Sequence, residues 1–163
     1  YSSIAKKEGY IQIANIFMET AEQEKEHAKI FLKFLKSEYN DEEIEIKASY
    51  PVALHEETKN NLMKAADGEN AEWTKDFAQI AKKEGFNKIA MAYEKIAKIE
   101  ARHERRYRRL LNNMENDTLF KKDETVFWKC NNCGYIYEGK EAPKVCPACL
   151  HLQGYFELFI ENY

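Results

Sequence analysis

Residues 4–27 read IAKKEGYIQIANIFMETAEQEKEH, and residues 80–103 read IAKKEGFNKIAMAYEKIAKIEARH. The two stretches lie 76 positions apart and share 11 identities in 24 positions, among them Glu24 with Glu100 and His27 with His103. Each copy starts with the same Lys-Lys-Glu-Gly turn and ends on Glu-x-x-His. A basic last turn followed by Gly marks a helix C-terminus capped in the left-handed region. Gly9 and Gly85 are therefore expected to join antiparallel helices, and the repeat points to a duplicated helical hairpin around one symmetric site.

Three long helical patterns extend outward from this repeat. About Ile11 to Leu35 carries Ile13, Phe17, Thr20, Glu24, His27, Phe31 and Phe34 on one stripe. About Glu57 to Lys83 carries Leu62, Ala65, Glu69, Glu72, Asp76 and Ile80. About Asn87 to Met114 carries Ile89, Tyr93, Ile96, Glu100, His103, Tyr107 and Leu110. Spacings of three and four place each set on one helix face. Tyr1–Lys7 reads as the end of a further helix, because it matches the end of the second pattern. Ser37 to His55 has no helical periodicity and is expected to cross over in extended form. The composition changes at about Asp117–Thr125. Beyond it, Val126–Lys129, Cys130–Tyr137 and Tyr155–Phe159 read as short strands. The expected units are therefore 1–116, a helical bundle, and 125–163, a small cysteine-bearing domain, with 117–124 as linker.

Several of the stripe residues are charged. Glu24, His27, Glu69, Glu72, Glu100 and His103 all fall on inward positions, with Asp76 at their polar edge. A lone buried carboxylate costs several kcal/mol or takes up a proton, and converging carboxylates repel one another. Metal cations resolve both problems. Residues at i and i+3 point the same way, so each Glu-x-x-His reaches one centre. Two such pairs with glutamates from the other helices form the ligand set of ferritin-like di-iron and di-manganese bundles. Mixed carboxylate and imidazole donors suit iron or manganese. His55 and His151 lack such companions and read as surface residues. The aromatic residues at 17, 31, 34, 93 and 107 read as core, with a tyrosine near the metals able to donate a hydrogen bond.

Cys130-Asn-Asn-Cys133 and Cys146-Pro-Ala-Cys149 form two knuckles, each followed by a turn in which backbone N–H groups face the sulfurs. Four thiolates complete a tetrahedral site for iron or zinc. The spacing by itself leaves both metals open. A unit this small has little core without its metal.

Formal net charge is −3 and the sequence pI about 5.9, which gives no electrostatic reason to expect a nucleic-acid or membrane partner. No apolar run approaches the roughly 20 residues of a membrane span. Clustered Cys-x-x-Cys pairs in an otherwise Cys-free chain suit a reducing compartment, so the cytoplasm is the expected location.

The helical part resembles the rubrerythrins through AEQEKEHAKIFLKFL, AADGENAEW and IEARHERRY. The C-terminal part resembles their rubredoxin-like domain through WKCNNCGYIYEG, AP, CPAC and YFEL. The resemblance implies a mainly α protein: a ferritin-like four-helix bundle with its first helix truncated, followed by a small rubredoxin-like β domain. It implies a non-haem di-iron peroxidase that reduces hydrogen peroxide to water and protects against oxidative stress. Glu24, Glu69, Glu72 and Glu100 would be carboxylate ligands, and His27 and His103 imidazole ligands. On reduction one iron would exchange Glu72 for His27. Cys130, Cys133, Cys146 and Cys149 would hold a third iron, with zinc as a substitute. Electrons would come from a rubredoxin or a flavoprotein reductase. The resemblance also implies a homodimer, with the thiolate-bound iron of one subunit near the di-iron site of the other.

Rubrerythrins begin with a helix carrying Gly-Glu-Ser-Gln-Ala-Arg, and this sequence lacks that motif. The second repeat has a whole helix before IAKKEG, whereas the first has three residues. A Glu-bearing helix is thus expected some 5 to 15 residues before Tyr1, in a longer chain, a separate segment or another subunit. A three-helix remnant with a weakened site is the other possibility. Two other functions fit the same residues: ferritin-like ferrous-iron oxidation and handling, and a structural zinc ribbon on a vestigial bundle.

Overall fold

The computed structural model describes residues 1–38, 43, 45, 47–49, 57–69 and 72–162, without the side chains of 36–38, 72 and 73. Helix α1 spans Ser2–Lys7 and α2 Ile11–Glu38. Helices α3 and α4 span Thr58–Gly68 and Glu72–Lys83, and α5 spans Asn87–Glu115. Both repeated turns adopt the expected geometry. Gly9 has φ +84° and Gly85 φ +88°, the left-handed region that an L side chain disfavours. In each turn the N–H of the following aromatic bonds back to an alanine carbonyl, Tyr10 to Ala5 and Phe86 to Ala81. Most of the Ser37–His55 crossover lies outside the described residues, and Ser37 and Glu38 belong to α2.

The second long pattern appears as two helices, α3 and α4, where one was expected. Gly68, the weakest helix former short of proline, ends α3, and the Glu69 N–H closes its last turn on the Ala65 carbonyl. Helix α4 then begins with a shifted phase. Its buried residues are Thr74, Ala78 and Ala81, while Asp76 and Ile80 face outward. A continuous helix would have put Asp76 and Ile80 on the stripe.

Helices α1 and α2 form one hairpin, and α3 and α4 pair with α5 to form the other. The apolar core fills the Gly9 end of the bundle, where Ile13, Phe17, Leu62, Tyr107 and Leu110 pack together. The carboxylates and histidines lie beyond it, followed by Phe31, Phe77 and Tyr93, with Tyr93 5.1 Å from Phe31 and 5.7 Å from Phe77 between ring centroids.

The C-terminal unit is a three-stranded antiparallel sheet of order β2-β1-β3, with β1 Lys121–Cys130, β2 Ile136–Glu141 and β3 Phe156–Leu158. Strand β1 begins inside the stretch read as linker. Trp128 and Phe156 are fully buried against Cys130 and Cys146, and the Trp128 indole N–H donates to the Gly139 carbonyl at 3.0 Å. The unit sits on the α1–α2 turn. Phe120 stacks on Tyr10 at 6.4 Å, and a Cβ on Gly154 would lie 1.6 Å from the Gly9 carbonyl oxygen. Among the described residues no helix is long and apolar enough to cross a membrane.

Candidate metal centres

In the bundle, α2 presents Glu24 and His27 one turn apart, α5 presents Glu100 and His103, and Glu69 arrives from the end of α3. One ligand atom from each of Glu24, Glu69, Glu100 and His103 lies within 4.8 Å of all the others. The His103 Nδ1 lies 3.2 Å from Glu100 Oε2, 3.3 Å from Glu69 Oε2 and 3.4 Å from Glu24 Oε1. His27 flanks this group, its Nδ1 3.1 Å from Glu100 Oε1 and 3.2 Å from Glu24 Oε2. The Glu72 side chain lies outside the description. Glu100, His27 and His103 are buried. Glu24, expected inward, is 45 % exposed at its side chain and stands at the mouth of a cavity of about 510 Å³ that Phe17, Glu69 and Tyr107 also line.

Electrostatics show what this donor set lacks. Burial pushes the Glu69 carboxyl up to about 7, with the neighbouring Glu100 adding to the shift against a hydrogen bond from His103. Burial also opposes ionisation of Glu100, yet hydrogen bonds involving His103 and Glu69 hold it below the usual carboxylate range. His103 is pushed up to about 11 by hydrogen bonds to Glu100, Glu24 and Glu69. Protons on His103 and Glu69 thus take the place of positive charge. Divalent cations would displace them and satisfy the carboxylates together, so the residues present fit a metal centre.

Three residues at the site were not among the expected ligands. The Gln23 Oε1 lies 2.7 Å from His103 Nε2. The Arg106 guanidinium donates to Glu19 and to the Thr20 hydroxyl, each at 2.9 Å. Tyr107, pushed up to about 12 by burial, hydrogen-bonds Thr20. The signal for Gln23 was available, since it lies three after Thr20 and four before His27. Tyr107, read as core, is core and cavity wall together.

At the other site the Sγ atoms of Cys130 and Cys149, and those of Cys133 and Cys146, are 3.7 Å apart. A tetrahedron with metal–sulfur bonds of about 2.3 Å has edges of roughly 3.8 Å. The sulfurs already hold that spacing, and all four cysteines are free thiols. The His151 N–H pulls the Cys149 thiol down to about 6. Tyr135 does the same for Cys133, but the three neighbouring sulfurs, Cys149 first, outweigh it and push Cys133 up to about 12. One thiolate and crowded thiols are the proton-loaded form of a four-thiolate ligand set. The residue after each knuckle is left-handed: Gly134 at φ +79° and Leu150 at φ 63°. The second position carries a full side chain where the first has glycine. His151, read as a surface residue, packs edge-on against Tyr155 at 4.4 Å. His55 lies outside the described residues.

The fold and the two ligand sets define a ferritin-like di-iron protein with an appended rubredoxin-like four-cysteine site. The Rubrerythrin family model matches residues 1–111, and that of the rubrerythrin rubredoxin-like domain matches 128–157. Rubrerythrin-1 of Clostridium acetobutylicum is 58 % identical over all of this chain and 85 % of its own length. The rubrerythrin of Nitratidesulfovibrio vulgaris is 41 % identical over 98 % of this chain and 83 % of its own. Among solved structures, mixed-valence nigerythrin superposes with a TM-score of 0.60 at 27 % identity, covering 97 % of this chain and 75 % of that one. The chain belongs to the rubrerythrin family, whose members are generally oxidoreductases.

Proposed function

We propose that this protein reduces hydrogen peroxide to water. Glu24, Glu69, Glu72, Glu100, His27 and His103 hold two irons, and Cys130, Cys133, Cys146 and Cys149 hold a third that relays electrons. The observation that carries this reading is the presence in one chain of a buried carboxylate–imidazole cluster and a ready thiolate tetrahedron. A storage role gives no use to the second, and a purely structural role gives none to the first. When bound, the iron pair supplies the two electrons that cleave the O–O bond.

The chain's own residues provide the rest. Reduction of H₂O₂ to two waters consumes two electrons and two protons. Glu24, the half-exposed carboxylate of the cluster, is the group best placed to pass those protons to the buried ones. Phe17, Glu69, Glu100 and Tyr107 line the space beside Glu24. The Tyr107 hydroxyl, held by Thr20, keeps its proton at neutral pH and is a donor facing this space.

Electrons enter at the cysteines from a rubredoxin or a flavoprotein reductase. The cysteine unit packs on the turn at Gly9, and Glu24 lies 15 residues further along α2, roughly 22 Å at ~1.5 Å per residue. That separation favours a homodimer in which each cysteine site serves the partner's bundle. The reducing conditions both sites require agree with a cytoplasmic location.

The test is optical. The iron-loaded protein should show a red ferric-thiolate spectrum that bleaches on reduction and returns on adding peroxide. A reduced spectrum that stays bleached under peroxide, or a colourless protein with zinc at the cysteines, would overturn this electron path.

A further inference from the structure

The two Glu-x-x-His copies are related by the 76-residue offset, but their surroundings are not equivalent. The same offset maps Gln23 onto Ile99. Gln23 precedes Glu24 on α2 and reaches across to the histidine of α5, with Oε1 2.7 Å from His103 Nε2. Ile99 precedes Glu100 on α5 and, like Gln23, lines the recesses at both His27 and His103. Ile99 has no atom able to accept a hydrogen bond.

The orientation of the Gln23 amide is determined by its other neighbour. Its Nε2 donates to Glu19 Oε1 at 3.3 Å, and that same oxygen accepts from Arg106 at 2.9 Å. A carboxylate in an ion pair with Arg only accepts, so the amide nitrogen faces Glu19 and its oxygen faces His103. The His103 ring must then donate from Nε2, which leaves Nδ1 for the carboxylate cluster or for a metal that replaces the proton there. A ligand histidine tied through its second nitrogen has its tautomer and ring plane fixed. His27 differs. Its Nδ1 faces Glu24 and Glu100, and among the described residues its Nε2 has no hydrogen-bond partner.

We infer that Gln23 is a positioning residue that fixes the ring plane and tautomer of His103, a restraint that Ile99, its repeat counterpart, cannot give His27. The chain of groups is Arg106 to Glu19 to Gln23 to His103, running from the bundle surface to the site. It makes a sequence-symmetric pair of ligands mechanically asymmetric. The inference rests on the di-metal reading of the cluster.

The experiment uses the full chain with its cysteine site filled, titrated with Zn²⁺ by calorimetry and followed by ¹⁵N-histidine NMR. The original protein should bind two further Zn²⁺ ions and show the His103 Nε2–H protected from solvent exchange. Gln23→Leu should weaken one of the two ions by ~10–100-fold, the usual effect of losing a partner of a ligand, and expose that N–H. Gln23→Glu keeps the acceptor and should restore protection. Ile99→Gln should create a protected N–H on His27. Unchanged affinity and protection in Gln23→Leu would overturn the inference. So would an equal loss at both ions that Gln23→Glu does not rescue, which marks a merely structural residue. Failure of the original protein to bind two Zn²⁺ would instead overturn the di-metal reading.

Discussion

Cys130, Cys133, Cys146 and Cys149 come from two tight knuckles in one short stretch, whereas Glu24, Glu69, Glu100 and His103 come from three helices spread over half the chain. The difference shows in how well each site is shaped without its metal. Backbone bonds such as Cys130 N–H to Tyr135 O at 2.8 Å and Cys146 N–H to His151 O at 2.7 Å hold the knuckles locally. The sulfurs sit at tetrahedral spacing as a result. The bundle cluster depends on packing between helices. It keeps its charge low by taking up protons, and one of its carboxylates lies half in solvent. Local turns pre-organise the cysteine site, while the bundle site is assembled by packing between helices remote in the chain.

The largest effect expected from breaking this contrast is at the cysteines. Cys146→Ser should abolish the thiolate absorbance and unfold the C-terminal sheet, because metal binding contributes on the order of 10 kcal/mol to folding in such small units. Far-UV circular dichroism should show the helices intact. Loss of helix would mean that the bundle depends on the cysteine unit. Glu100→Gln should do the reverse: peroxide turnover falls by at least about 100-fold, more than losing an outer partner costs, with the thiolate spectrum unchanged. Turnover retained in steady-state assays would remove Glu100 from the site.

The junction between the two units comes next. Gly154→Ala should force the sheet off the Gly9 turn at a cost of about 1–3 kcal/mol, the range for overpacking. The melting curve should then separate into two transitions, and a single unshifted transition would contradict the close approach.

Proton load offers a finer probe. Glu69 is raised from 4.5 to about 7 and His103 from 6.5 to about 11, so the folded, metal-free bundle binds more protons than the unfolded chain. Its stability should fall as pH rises from about 4.5 through 7 on account of Glu69. It should fall further from about 6.5 through 11 as the His103 contribution is lost. Metal loading should flatten this slope, as should Glu69→Gln over the lower part. Melting temperatures near pH 5 and pH 9 that coincide without metal would refute the cluster's protonation. The smallest effect is at Leu150, whose left-handed backbone costs roughly 1–2 kcal/mol for an L residue. Leu150→Gly should stabilise the cysteine unit by about 1 kcal/mol, read from its thermal midpoint, and destabilisation would mean that the exposed side chain contributes packing.

Much of this was legible in the residues. The turns at Gly9 and Gly85, the extent of α5 and the cysteine tetrahedron are local, and short-range patterns report local geometry well. The α3–α4 break was not legible as a pattern of apolar residues. Helix α3 ends at Gly68 and α4 runs from Glu72 with Thr74, Ala78 and Ala81 buried and Asp76 and Ile80 exposed. Glu24 was placed on an inward stripe by spacing and does join the cluster, although its side chain stays 45 % exposed.

By itself the sequence determined which residues share a helix face and that four sulfurs sit on two knuckles, because both depend on a backbone period of a few residues. Only the tertiary structure decided that Gln23 reaches His103 rather than His27 and that Gly154 rests on Gly9. Those are distances between segments remote in the chain, and they are set by how helices and sheet pack rather than by any local preference.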